Sequence, residues 1–154
     1  MLKMIVHLDV VVKNGHVEIA KWLHSLGTDI RAEDDFAFKL SCEKENFEIA
    51  KWLHEIDPMI ISENVRNVRN LDYEQLGISE QTAILFECIK NNTEFPEIDE
   101  IDDCILHSLK YYNMIDHLTK LSLQFPYIYF YVEDGKITEF AIDRPQMKSA
   151  RNLF

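Results

Sequence analysis

Glycine, proline and cysteine are all scarce: four, four and three among 154 residues. So few glycines leave little material for a phosphate-cradling loop. The cysteines, Cys42, Cys88 and Cys104, are odd in number and show no CxxC spacing, which argues against a disulfide framework and fits a reducing, intracellular compartment. Basic residues are short as well. Lys and Arg total 16 against 27 Asp and Glu, and the formal charge of −11 repels phosphate backbones and anionic lipid heads. Neither nucleic acid nor a membrane is an expected partner. No apolar run approaches the roughly 18 residues a membrane span requires. The opening "MLKMIVHLDVVVKNGH" is interrupted by His7 and Asp9, lacks a basic leading region, and precedes no small-residue cleavage site. A soluble, cytoplasmic protein is the expectation. There is no GxSxG, no HExxH and no carboxylate pair in a supporting context, so neither an enzyme nor a bound cofactor is expected.

What is present is an apolar fraction of 47%, enough for a sizeable core, and a repeated phrase. "VEIAKWLH", Val17 to His24, returns as "FEIAKWLH", Phe47 to His54, with one change in eight. Ile19, Trp22, Leu23 and Leu26, and again Ile49, Trp52, Leu53 and Ile56, fall at i, i+3, i+4 and i+7, one face of a short helix. Each phrase follows a further stretch with helical spacing, Val6 to Gly15 and Phe36 to Glu45, so the unit reads as two helices joined by a tight turn. Asn14-Gly15 supplies the first turn, Gly27 ends the first unit and Asp57-Pro58 ends the second. A helix pair this short cannot cover its own apolar side, whereas a stacked neighbour can; a fixed period of this size reads as a solenoid. On this reading Trp22 and Trp52 fill the stack.

"NGHVEIAKWLHSLGTDIRAEDD", Asn14 to Asp35, resembles an ankyrin repeat, and the period together with "KWLH" and "DIRAEDD" is similar to the ankyrin proteins abundant in giant DNA viruses of amoebae. The resemblance covers about Ile5 to Ser62. It departs from the family at the TPLH tetrapeptide, which reads Val6-His7-Leu8-Asp9 and then Phe36-Ala37-Phe38-Lys39, and at Glu45-Asn46, which replaces Gly15-His16 in the second turn.

The expected architecture is mainly α: two ankyrin-type repeats in residues 1–62, degenerate helical repeats or a helical cap in 63–123, a β-hairpin in 127–143 and a tail in 144–154. "SEQTAILFECIKNN" reads as a helix with Ser79 as N-cap and Glu80 at its positive end. Asp102 to Gln124 reads as a helix pair broken near Asn113, and Pro58 to Asn70 as an irregular connection carrying Asn64, Asn67 and Asn70. "YIYFYVEDGKITEFAI" alternates around Asp134-Gly135, a strong hairpin signal that pairs Glu133 with Lys136, Val132 with Ile137 and Tyr129 with Phe140. Ile128, Phe130, Val132 and Ile137 then share one face.

Histidines and carboxylates raise metal sites, and the spacing weighs against each. His24 and His54 sit at equivalent points of neighbouring helices, about 8 to 10 Å apart, whereas zinc holds nitrogens at about 2 Å; hydrogen bonding along the stack is the better reading. Cys104, His107, His117 and Cys88 straddle a helix break. The run Glu94 to Asp103 lacks a calcium-loop pattern and reads as a solvated linker that ends by favouring the next helix start. No metal is expected.

The ankyrin resemblance implies docking of a protein partner on loop tips and first helices. The matching positions are Arg31, Glu33, Asp34, Asp35 and Phe36 in the loop, with Lys39 and Glu43 on the helix after it. A non-catalytic interaction module, viral and acting in a host cell, is the leading expectation, with Phe36 as an apolar anchor beside steering charges. The alternative is an assembly subunit, self-associating through its first unit, which begins without a polar cap, or through the hairpin edges. A truncated gene product is a third reading.

Overall fold

The computed structural model describes residues 2–143, with side chains from residue 8 onward; the tail expected at 144–154 lies outside the described residues. The first repeated phrase lies on α2 (Val17–Ser25), preceded by α1 (Leu2–Lys13), and the second on α4 (Phe47–Ile56), preceded by α3 (Ala32–Glu43). Within each pair the two helices pack together, α3 packs on α1, and α4 packs on α2. A short helix α5 (Met59–Asn64) follows, then α6 (Glu80–Asn91), the pair α7 (Asp103–Tyr111) and α8 (Ile115–Gln124), and the strands β1 (Ile128–Glu133) and β2 (Lys136–Ile142). No described helix is long and apolar enough to cross a membrane.

One turn joins the helices of each of the pairs α1–α2, α3–α4 and α7–α8. Gly15, Glu45 and Asn113 take left-handed φ values of 73, 58 and 53°. The next residue donates its N–H five positions back, His16 to Val11 at 3.0 Å, Asn46 to Ser41 at 2.8 Å and Met114 to Leu109 at 2.8 Å. These bonds satisfy carbonyls that a helix end leaves open. Sequence spacing reveals the first turn through its glycine; Glu45 is an unlikely residue for it, and the helix wins because its amides and carbonyls need the same closure. Gly27 ends α2 with the same device, Gly27 N–H to His24 at 2.9 Å and Thr28 N–H to Leu23 at 3.2 Å.

Several expectations are corrected. Pro58 to Asn64 is not irregular: Pro58 precedes α5, whose Ile60, Ile61, Ser62 and Asn64 are buried. Six residues, with apolar Met59, Ile60 and Ile61 followed by polar Ser62, Glu63 and Asn64, carry no periodic signal. The Glu94 to Asp103 run is tied to the core by buried Ile98 and Ile101, and Asp102 accepts a hydrogen bond from the Thr82 hydroxyl instead of capping α7. By contrast, Ser79 caps α6 as expected, accepting the Thr82 N–H at 3.3 Å. Trp22 does not fill the core; it is exposed together with Ile19 and Leu26, while Leu23 is buried. In the second unit Ile49 and Leu53 are buried, Trp52 packs half-buried against the core, and Ile56 is partly exposed.

The hairpin pairs Glu133 with Lys136 and Val132 with Ile137 as expected, then a bulge after Tyr131 shifts the register so that Phe130, not Tyr129, faces Phe140. A bulge inserts one unpaired residue, here moving Phe140 to the packed side with Ile128 and Phe130, while Val132 is exposed. β1 lies on α8 and β2 on α7. Asn113 holds the hairpin tip with both ends of its amide, donating to the Gly135 carbonyl at 2.9 Å and accepting the Ile137 N–H at 2.8 Å.

Candidate functional site

The loop between α2 and α3 is shaped by one guanidinium. Asp29 first accepts the Arg31 N–H at 2.9 Å, a local turn typical of aspartate. The Arg31 side chain then grips Asp35 with two parallel bonds of 2.7 Å. The same group reaches Glu63 of α5 at 3.1 Å and Asp57 at 3.3 Å. Asn64 completes the set, donating its amide to Asp35 at 2.7 Å and to the Ile60 carbonyl at 2.8 Å. Burial alone would raise the Asp35 pKa, but the bonds from Arg31 and Asn64 outweigh it and hold the carboxyl below its ordinary value; the surrounding carboxylates raise that of Arg31.

Above this network the backbone is strained. Glu33, Asp34 and Asp35, at the start of the α3 range, occupy left-handed φ of 55, 57 and 60° in succession, so they form a turn and right-handed α3 runs on only after them. Each such residue costs about 1–2 kcal/mol relative to ordinary helical backbone, so the turn persists only because the Arg31–Asp35 clamp and the Asp35 N–H bond to the Arg31 carbonyl, 3.2 Å, fix both of its ends. Phe36 follows directly, 40% exposed.

The seven positions singled out from sequence therefore divide. Asp35 is buried, only 4% exposed, and Arg31 is half-buried; both side chains hold the loop in place. Glu33, Asp34, Phe36 and Glu43 are exposed. Lys39 pairs with Asp34 at 3.0 Å, and with Glu43 it borders a groove of about 370 Å³ closed by Asn67, Val68, Arg69 and Asn70. Sequence reading missed that far wall, since it belongs to the stretch after α5, and it missed Asp9 of α1. Asp9 lies on α1, which packs on α3, and burial, followed by the charge of Glu33, raises its pKa. The resulting surface offers carboxylates, one ammonium and one phenyl ring on a braced backbone, the chemistry of recognition by charge and an apolar anchor.

The histidines and cysteines do not converge. Among the described residues no group of three or more His, Cys, Asp or Glu side chains is placed to hold a metal ion. His107 stacks edge-on against Phe140 and His117 against Phe95, while burial pushes the thiols of Cys42 and Cys104 up to about 12. His24 and His54 were expected to hydrogen-bond along the helices; instead Nδ1 of each is buried without a partner. A concavity of about 870 Å³ between the end of α6 and the start of α8 has Arg66 at its rim, fixed by the Ile89 carbonyl at 3.1 Å and lying over the Tyr112 ring at 4.3 Å. These contacts make Arg66 a structural tie between the stretch after α5 and the α7–α8 turn.

Compared with known proteins, the chain matches no family model, no curated protein and no solved structure.

Proposed function

We propose that this protein is a non-catalytic protein–protein interaction module, an adaptor built on a short ankyrin-like solenoid of helix-turn-helix units. The resemblance of Asn14 to Asp35 to ankyrin repeats supports the solenoid reading, as do the recurring turn and the side-by-side packing of α1 on α3 and α2 on α4. The viral, host-cytoplasmic setting rests on sequence resemblance alone.

The observation that carries the interaction reading is the position of Phe36: a large ring left 40% exposed at the end of a strained turn that buried charges hold rigid from beneath. A rigid anchor loses little conformational freedom when a partner covers it. Glu33 and Asp34, exposed just ahead of it in the chain, favour a partner with basic residues, the charges acting mainly on approach. Affinity capture from cells with the native chain, Phe36→Ala and Asp34→Lys tests this reading. A protein held by the native chain and lost from both variants, with their melting temperatures unchanged, is the expected result; equal capture by all three contradicts it.

The alternative, a subunit that self-associates, draws on exposed Tyr129, Tyr131 and Val132 of the hairpin. Sedimentation across a range of concentrations separates the two, since an adaptor of this kind stays monomeric without its partner.

A further inference from the structure

Arg66 is held by neutral groups. Its Nε donates to the Ile89 carbonyl at 3.1 Å and its Nη2 to the Met114 sulfur at 3.2 Å, while the guanidinium lies over the Tyr112 ring, whose hydroxyl donates to the Glu63 carbonyl at 2.9 Å. These contacts fix the plane of the group, and a guanidinium has more N–H donors than they use. Among the described residues no carboxylate lies within ion-pairing distance of Arg66. Arg31 is the contrast, since Asp35, Asp57 and Glu63 all meet its charge. A chain with 27 Asp and Glu against 16 Lys and Arg thus keeps a rigid guanidinium whose charge nothing in the described fold neutralises.

The cavity of about 870 Å³ that Arg66 borders receives two further cations, Lys90 from the last turn of α6 and Lys120 from α8. Lys90 also has no carboxylate in ion-pairing distance among the described residues. Lys120 meets Glu94 at 2.5 Å, but both side chains are mostly exposed, and such a pair yields easily to a stronger anion. Asp116, the other carboxylate of the lining, stands in the first turn of α8, where the positive helix end offsets its charge. We propose that this cavity binds a small phosphate monoester, its phosphate held by Arg66 and Lys90 and approached by Lys120. A planar carboxylate is satisfied by the guanidinium fork alone, whereas a tetrahedral dianion also uses separate ammonium groups on its other sides. The volume lies in the range of small-molecule sites, which leaves room for the organic part of the ester. The negative charge of the whole chain acts against extended polyanions; a single phosphate answers to the groups around it, because exposed charges are screened over about 8–10 Å. The cavity shares no lining residue with the groove bordered by Lys39 and Glu43, and the proposal stands independently of the Phe36 surface.

Calorimetric titration of the full chain with ribose 5-phosphate, inorganic phosphate and ribose tests the proposal. The expected result is one saturable site for ribose 5-phosphate, competition by inorganic phosphate and no binding of ribose. Lys90→Gln, with an unchanged melting temperature, weakens binding about tenfold, the loss of one charge-assisted hydrogen bond. Asp116→Asn strengthens it by removing a like charge, a change that damage to the fold does not produce. Absence of a saturable site for either phosphate probe in the native chain overturns the proposal, as does a site that takes ribose equally well. Affinity for ribose 5-phosphate unchanged in both Lys90→Gln and Asp116→Asn also overturns it. A phosphoserine peptide bound many-fold more tightly than ribose 5-phosphate overturns the small-molecule assignment in favour of a phosphorylated protein.

Discussion

His24 in the first copy of a duplicated phrase and Trp52 in the second meet edge to face, with ring centroids 5.8 Å apart and planes at 80°. A T-shaped pair sets the edge of one ring on the electron-rich face of the other, an arrangement worth about 0.5–1.5 kcal/mol beyond area burial. It joins the second helix of one unit to the second helix of the next. Among the described residues the arrangement is made once, and no ring meets Trp22 as His24 meets Trp52.

The two tryptophans therefore differ in energetic role despite identical neighbours in sequence. Trp22→Ala removes an exposed ring and is expected to change stability by less than about 0.5 kcal/mol. Trp52→Ala removes a ring packed on the core, for an expected loss of about 2–3 kcal/mol. Urea unfolding of both variants measures the contrast, and equal losses contradict it.

The turn residue Glu45 performs the task that Gly15 performs in the first unit, with a side chain that disfavours φ of 58°. Glu45→Gly is expected to stabilise the protein by about 0.5–1 kcal/mol by removing that penalty. Gly15→Ala is expected to do the reverse, since a Cβ there adds strain and meets Asn46 Oδ1 at 3.2 Å. Melting temperatures moving in opposite directions support the shared turn; a drop for Glu45→Gly contradicts it.

Asp35 is the buried keystone of the α2–α3 loop. Asp35→Ala removes one of the two acceptors of the Asn64 amide and strands half of the Arg31 fork, and the expected cost is about 3 kcal/mol. Asp34→Asn, one residue earlier and exposed, is expected to cost less than about 0.5 kcal/mol. Because the Asp35 carboxyl is held below its ordinary value, its contribution is present above the unfolded carboxylate pKa of about 3.9 and is lost as pH falls through the lower folded value. Comparing urea midpoints for the native chain and Asp35→Ala near neutral pH and again at strongly acid pH reads this directly: the gap narrows on acidification, and a constant gap contradicts the account.

His54 adds a separate pH dependence. Burial lowers its pKa, against the opposing pull of Glu55 and Asp57. Unfolded imidazole titrates near about 6.5, so below that pH the unfolded chain binds more protons and stability falls until the folded value is passed. His54→Gln is expected to lose stability less steeply than the native chain between about pH 7 and about pH 5. Parallel slopes contradict it.

The sequence made most helices legible because their apolar residues recur on one face, and the hairpin because Asp134-Gly135 suits a turn with φ of 53 and 75°. It concealed α5, where Ile60 and Ile61 are buried beside Ser62 and Asn64 and periodicity says nothing. The bulge was concealed too, since strand alternation does not reveal an extra residue until pairing is fixed. At the candidate site the loop was legible as a charged surface, yet composition does not tell which carboxylate turns inward. Asp35 does so because its partners Arg31 and Asn64 arrive from either side, one of them from the unrecognised α5. The exposure of Trp22 was hidden for the same kind of reason: burial belongs to the neighbour, and identical helices differ when only one has it.

The claim on which the account depends is that the duplicated phrases pack side by side and share an interface. A double-mutant cycle on His24→Ala and Trp52→Ala, measured by urea unfolding, tests it most directly. The account predicts a coupling of about 0.5–1.5 kcal/mol between the two sites. Strict additivity, with coupling below about 0.3 kcal/mol, would contradict it.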